Sequence, residues 1–121
     1  MPIIFYLYYF ITNKISRKYR LIILKVILKD EKIREIELSG HGNGLKGRDI
    51  ICAAVSGISQ TALLGILYYN KHGINWKMED GFLYIDVYDV KDDRIQIILT
   101  SMIIGLKAIA KEYPKQIKIE M

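Results

Sequence analysis

The sequence predicts an α+β domain in which one antiparallel or mixed sheet, built from two hairpins and a C-terminal strand, is covered by two helices. Short β-branched or alternating segments occur in two pairs, each pair separated by turn residues, which is typical of antiparallel hairpins. Two longer segments repeat apolar residues at helical spacing. One short alternating segment follows the second helix, so the predicted order is ββαββαβ.

The first hairpin is formed by "LIILKVILK", the turn "DEK" and the alternating "IREIELS". A glycine-rich stretch follows, and then a helix for which Asp49 is a good N-cap. Its apolar positions recur at helical spacing: Ile51, Val55, Ile58, Ala62 and Ile66. The helix is expected to end at "KHG", where Gly73 can adopt a left-handed cap.

The second hairpin comprises "INWKMED", a turn at Gly81 and "FLYIDVYDV". A second helix is predicted from Asp92 or Asp93 to a stop at Pro114. Its apolar stripe consists of Ile95, Ile98, Leu99, Met102, Leu106, Ile109, Ala110 and Tyr113. Ile97 and Ile104 lie off this stripe, which indicates either a homodimer contact or a broader core. The segment "QIKIE" forms the last strand.

Length and composition fit one globular domain, since the chain has 121 residues, of which 51% are hydrophobic and 26% charged. We expect the domain proper to cover residues 21–121 and residues 1–20 to be an appendage, packed on the domain or added by an upstream start codon. The apolar run at 2–11 is shorter than the roughly 20 residues of a membrane helix. Positive charges follow this run, unlike in a signal peptide. An amphipathic membrane anchor is the alternative, and no membrane partner is expected.

The charge distribution and the cysteine content argue against nucleic-acid binding and metal binding. The net charge is +5, but residues 1–34 contribute +6 and residues 35–121 contribute −1. The domain body therefore lacks the basic patch that nucleic-acid binding needs, and the strand "FLYIDVYDV" interleaves its aromatic residues with acids. The single cysteine fits a reducing cytoplasm. One cysteine and two distant histidines fall short of a metal site, and neither a metal nor another cofactor is expected.

Cys52 and His41 are the strongest candidates for catalytic residues in this sequence. Cys52 falls in the first turn of the predicted helix, where unpaired backbone N–H groups and the helix dipole favour a thiolate. We therefore expect it to be solvent-reachable and reactive. His41 precedes it across a short glycine-rich connection and could act as its acid–base partner. The alternatives are a buried structural cysteine and a histidine bonded to a turn carbonyl.

Three further features flank this pair. Asp49 could cap the helix, orient the His41 ring or accept a substrate N–H group. Ser56 lies one turn beyond Cys52, where its hydroxyl could contact a substrate backbone or bond back to the Cys52 carbonyl. Gly42, Gly44 and Gly47 let the loop change conformation and a bound chain approach closely, so the loop is expected to be mobile or folded over Cys52 without peptide. No Lys-Ser/Thr pair follows these glycines, which argues against a nucleotide site.

The stretch "SGHGNGLKGRDIICAAVSGISQTALLG" resembles the ribosomal-processing cysteine proteases, the Prp family. The family pattern is Ser/Asp-Gly-His, a glycine-rich loop and Gly-x-Asp-Ile-Val-Cys-Ala-Ala-x-Ser. The likeness covers about residues 21–121. Here the loop is a residue shorter than in some relatives, and Ile51 replaces the common valine.

The resemblance implies that His41 and Cys52 are catalytic and that Asp49 and Ser56 bind substrate. It also implies a homodimeric endopeptidase. Such an enzyme removes a short N-terminal extension from a large-subunit ribosomal protein, after a paired aromatic motif. A non-catalytic ribosome-associated binding protein is the alternative function.

Overall fold

The computed structural model describes residues 21–41 and 50–121. These residues form five strands and two helices in the order ββαββαβ, which confirms the predicted α+β class. The strands are β1 (Ile22–Lys29), β2 (Lys32–Ser39), β3 (Asn75–Glu79), β4 (Phe82–Asp86) and β5 (Ile117–Glu120); the helices are α1 (Ile50–Tyr69) and α2 (Asp93–Glu112).

The five strands form one mixed sheet in the spatial order β3-β4-β2-β1-β5. Three neighbouring pairs are antiparallel, whereas β1 and β5 run parallel, with Ile22 opposite Ile117. The β1–β2 hairpin closes through Asp30 and Glu31, which both have positive φ, 53° and 63°. This geometry matches a two-residue turn whose twist follows that of the flanking strands.

Side-chain alternation gives the sheet one buried and one open face. Leu24, Leu38 and Ile85 are among the core residues from three adjacent strands. On the open face, Lys25 pairs with Glu37 at 3.7 Å. Two amphipathic layers thus enclose a single hydrophobic core between the sheet and the helices.

Helix α2 is fixed at its start by two side chains. Asp92 is the N-cap and accepts a hydrogen bond from the Arg94 backbone N–H at 3.0 Å. The Gln96 amide bonds both backbone groups of Ile33, accepting at 2.9 Å and donating at 2.8 Å. These two bonds join a side chain of α2 to the backbone of β2, and they hold the helix against the strand.

Helix α1 starts where the sequence predicts but ends earlier. Its last turn is followed by a bond from the Asn70 N–H to the Ile66 carbonyl, at 2.9 Å. Gly73 does have positive φ, 78°, but it stands four residues beyond Tyr69. Its carbonyl accepts the Asp89 N–H at 3.1 Å. Gly73 therefore shapes a contact with the chain after β4, and its predicted role as the helix cap is wrong.

Three other details differ from the sequence prediction. Strand β4 ends at Asp86 because the chain then turns toward α2, although the apolar pattern continues to Val90. Ile103 is buried on α2 but was not part of the predicted stripe, whereas Tyr113 is exposed because it follows the last helical turn. The predicted appendage (1–20) and the glycine-rich loop (42–49) lie outside the described residues.

Helix α1 is long and apolar enough to cross a membrane by length and composition, with 20 residues and a mean hydropathy of 1.9. These properties are also typical of a core helix. Val55, Leu63 and Ile66 are buried in the hydrophobic core, whereas Leu64 and Tyr68 are exposed, so burial accounts for only part of its apolar composition.

Candidate active site

Gly40 connects β2 to His41 and needs to be glycine. Its φ is +88°, and a Cβ atom at this position would overlap the backbone carbonyl oxygen of Leu21. Its N–H donates to the Gly81 carbonyl at 3.0 Å, which extends the β2–β4 pairing beyond Ser39. The residue before His41 is thus bonded to the β3–β4 turn and lies close to the Leu21 backbone, which fixes the position of the His41 backbone.

The His41 side chain is buried, with 6% of its surface exposed. Its Nδ1 has no hydrogen-bond partner within the described part of the chain. Burial lowers the pKa of His41, and the negative charge of Asp80 opposes this shift. The neutral imidazole is therefore favoured near pH 7, which makes it a base that can accept a proton.

Cys52 is the third residue of α1, so its predicted position in the first helical turn is confirmed. The expectation that it is solvent-reachable is wrong for this conformation, because only 8% of its surface is exposed. The side chain belongs to the core cluster beneath the helix. A thiol at this position combines the field of a helix N-terminus with a largely apolar environment.

The structure describes only one of the other predicted site residues. Ser56 is half-buried one turn after Cys52, and its carbonyl accepts a hydrogen bond from the Ser59 hydroxyl at 3.2 Å. Helix α1 begins at Ile50, directly after the predicted N-cap position. The remaining predicted residues, Asp49, Gly42, Gly44 and Gly47, lie outside the described residues.

Asp80 is a neighbour of His41 that sequence reasoning missed. Ser39 pairs with Phe82, and the Gly40 N–H bonds the Gly81 carbonyl, so the β3–β4 turn (residues 80–81) lies beside the end of β2. Counting back along the second predicted hairpin could have found it only if the β2–β4 pairing had been known. The sequence gives no such long-range register.

No group of three or more potential metal ligands occurs among residues 21–41 and 50–121. A neutral imidazole supplies a base, and a thiol at a helix N-terminus supplies a nucleophile.

A histidine at the end of a strand and a cysteine in the first turn of the next helix are the residue types that cysteine proteases use, and comparison with known proteins gives this class. The sequence profile of the family described as cysteine protease Prp matches residues 21–118. The chain belongs to this family and is therefore a cysteine protease, a hydrolase.

The relatives cover most of the domain. The "Ribosomal processing cysteine protease Prp" of Staphylococcus aureus (strain Mu50 / ATCC 700699) is 31% identical over 104 residues, which span 82% of this chain and 97% of the relative. Two crystal structures of an essential ribosomal processing protease Prp from S. aureus are also similar. The complex with a substrate peptide has a TM-score of 0.72 at 25% identity. The complex with a covalently linked product peptide has a TM-score of 0.74 at 26% identity. Each comparison covers 83% of this chain and 98% of the other.

Proposed function

We propose that this protease removes a short N-terminal extension from a large-subunit ribosomal protein, cutting after a paired aromatic motif. The support comes from family membership over residues 21–118 and from a relative named for ribosomal processing. The S. aureus protease is known in complex with a substrate peptide and with a covalently linked product peptide. A covalent link to product is what a nucleophilic mechanism would form.

Cys52 is the proposed nucleophile and His41 the proposed acid–base group. The observation that carries this assignment is the burial of both side chains at the two ends of one short connection, inside the matched region. A neutral His41 takes the thiol proton, and the thiolate attacks the scissile carbonyl carbon. The C–N bond then breaks while the imidazolium donates its proton to the leaving amine.

The first half-reaction leaves a thioester between Cys52 and the N-terminal fragment. In the second half-reaction, His41 takes a proton from water, and the resulting hydroxide attacks the thioester carbonyl. The C–S bond breaks, the thiolate recovers a proton from His41, and the fragment leaves as a carboxylic acid. The imidazole thus acts as base and acid in turn, which needs a pKa near or below neutrality.

Ser56 and Asp49 are the proposed substrate contacts, together with Gly42, Gly44 and Gly47. Ser56 is on α1 one turn from Cys52, so its hydroxyl can reach a peptide that lies along the helix start. The three glycines lack side chains, which allows a bound peptide backbone to approach closely.

The test is incubation with the N-terminal peptide of the same organism's ribosomal protein, followed by mass spectrometry. We expect one cut after the aromatic pair, abolished in Cys52→Ala and Cys52→Ser. His41→Ala should lower the rate by about 10²–10⁴-fold. Near-normal turnover in any of these variants would overturn the assignment, provided that circular dichroism shows a folded protein.

A non-catalytic ribosome-associated binding protein is the alternative function. Wild-type protein that binds the peptide without cutting it would favour this alternative. The family membership argues for catalysis, because the family is defined as a cysteine protease.

We also propose that the protein is a cytoplasmic homodimer that binds no nucleic acid directly. A single cysteine suits a reducing compartment, and the domain body has almost no net charge. An apolar groove of about 780 Å³ runs between α1 and α2, and Ile97 on its rim is 64% exposed. Gly57 of α1 lines this groove, and a Cβ atom there would meet nothing within 4 Å, which leaves room for side chains of a second copy.

A further inference from the structure

We propose that this protease also cleaves its own N-terminal segment, cutting intramolecularly between Phe10 and Ile11. The inference rests on the proposed function for the roles of His41 and Cys52 and for the preference for an aromatic pair. It goes beyond that function by naming a second substrate, residues 1–20 of the same chain, which precede the matched domain. Three observations support it: where this segment joins the domain, how long it is, and which residues it contains.

The N-terminal segment joins the domain beside the proposed active site. The Leu21 backbone lies directly against Gly40, since a Cβ atom on this glycine would overlap the Leu21 carbonyl oxygen. Gly40 immediately precedes the buried His41. The Ile22 N–H donates to the Gln116 carbonyl at 2.9 Å, which holds the start of β1 in this position. Residues 1–20 are therefore attached to the domain close to the proposed acid–base group.

The segment is also long enough for Phe10 to reach this site. Residues 11–20 can span at most about 33–36 Å when fully extended. A domain of about 100 residues has a radius of gyration of only about 13 Å. The carbonyl of Phe10 can therefore reach Cys52 from the attachment point at Leu21. Attachment makes the encounter intramolecular, which for a short linker corresponds to an effective concentration of the order of millimolar.

The sequence of the segment contains the motif that the proposed function requires. Tyr9-Phe10 is an aromatic pair near the end of the apolar run, and Phe5-Tyr6 is a second pair within it. Residues 11–20 carry four basic side chains and no acidic one. Aromatic side chains favour an apolar cleft, whereas basic side chains favour water. A cut after Tyr9-Phe10 separates the aromatic part from the basic part, so we expect it there.

The reaction uses the groups already assigned to catalysis. The Cys52 thiolate attacks the carbonyl carbon of Phe10, the bond to the Ile11 nitrogen breaks, and this nitrogen takes a proton from the His41 imidazolium. Residues 1–10 are then held on Cys52 as a thioester. Water that gives a proton to His41 attacks the thioester, the C–S bond breaks, and Phe10 leaves as a carboxylic acid. The remaining chain begins with a free amine at Ile11 and keeps the whole matched domain.

The experiment follows the intact mass of the full chain during cell-free synthesis, so that the reaction starts at a known time. We expect the wild type to become a product that begins at Ile11, and Cys52→Ser to keep residues 1–10. Phe10→Ala should slow the conversion by at least about tenfold, because the aromatic contact is lost. The matched control is Tyr19→Ala, which removes an unpaired aromatic side chain from the same segment and should leave the rate unchanged.

The dependence on protein concentration tests the intramolecular step. Two syntheses that differ about tenfold in protein concentration should give the same half-time, because each chain cuts itself. A half-time that falls in proportion to concentration would overturn the intramolecular mechanism. A wild-type chain that stays uncut, a cut only at another bond, or equal cutting in Cys52→Ser would overturn the whole inference.

The outcomes separate this inference from the proposed function, because the ribosomal peptide is assayed with the same preparations. Wild-type protein that cuts the peptide but keeps its own residues 1–10 would overturn the inference and leave the proposed function in place. Wild-type protein that removes residues 1–10 without cutting the peptide would support the inference and overturn the ribosomal substrate.

Discussion

Burial of the His41 imidazole ties the stability of the protein to pH. Because its pKa is lowered from the ordinary value of 6.5, the unfolded chain binds this proton more readily than the folded one. The folded state is therefore stabilised above pH 6.5 and loses stability as the pH falls below it. We expect the urea midpoint to fall between pH 7.5 and pH 5.5, and to fall less in His41→Asn.

His72→Asn is the control for this titration, since His72 is exposed. An equally small fall of the midpoint in His72→Asn would show that the effect of His41→Asn is not specific to His41. An identical pH dependence in His41→Asn and wild type would show that His41 stays protonatable in the folded protein.

Gly40 is a second residue at which a small change should affect stability, because one added Cβ atom would clash with the backbone. We expect Gly40→Ala to destabilise the protein by about 1–3 kcal/mol, because the residue must leave its positive φ or displace the Leu21 carbonyl. Gly57→Ala is the matched control, since a Cβ atom there meets nothing within 4 Å and alanine favours a helix by about 1 kcal/mol. Chemical denaturation measures both, and a stable Gly40→Ala protein would mean that the end of β2 rearranges easily.

At the scale of elements, the turn of the β1–β2 hairpin consists of two residues that disfavour the positive φ which the turn requires. Asp30 and Glu31 both adopt positive φ, which costs a residue other than glycine about 1–2 kcal/mol. We expect Glu31→Gly to stabilise the protein by about 1 kcal/mol and to raise Tm by about 4 °C. Lys32→Gly, in the adjacent strand, should lower Tm, and a lower Tm in Glu31→Gly would show that the side chain itself holds the turn.

The elements were largely predictable because local patterns determine them. The alternation in "IREIELS" and the apolar spacing of α2 follow from burying one face of a strand or a helix. The end of β4 was not predictable, because Val87 is buried, continues the apolar pattern and still donates its N–H to the Arg34 carbonyl of β2 at 3.0 Å. The position of the β3–β4 turn beside the end of β2 depends on which strands pair, and neither segment alone predicts that pairing.

For the site residues, too, local features could be predicted from the sequence and features that depend on packing could not. The place of Cys52 in the first helical turn followed from local helix signals, and its burial did not, because burial depends on how α1 packs on the sheet. The roles of His41 and Cys52 stay predictions until cleavage is measured.

On the scale of the whole molecule, the groove between α1 and α2 is the surface on which the proposed dimer depends. We expect Ile97→Lys to convert a dimer into a monomer, because a lysine in the apolar contact would lose its hydration without gaining a partner. Sedimentation velocity or light scattering measures the mass. Ile27→Lys is the matched control, since Ile27 is 53% exposed on the open sheet face opposite Glu35.

A wild-type protein that is monomeric at micromolar concentration would contradict the proposed dimer. A dimer that survives Ile97→Lys and dissociates in Ile27→Lys would place the interface on the open face of the sheet.

The parallel pairing of β5 with β1 governs when the enzyme can first form. Ile22 pairs with Ile117, so nearly the whole domain must be synthesised before the sheet is complete. Chains are made from the N-terminus, and pairings between distant segments form slowly. Until Glu120 has been added, β1 therefore has an open edge and the core beneath α2 is incomplete. We therefore expect the domain to reach its full stability only after β5 has been synthesised and has paired with β1.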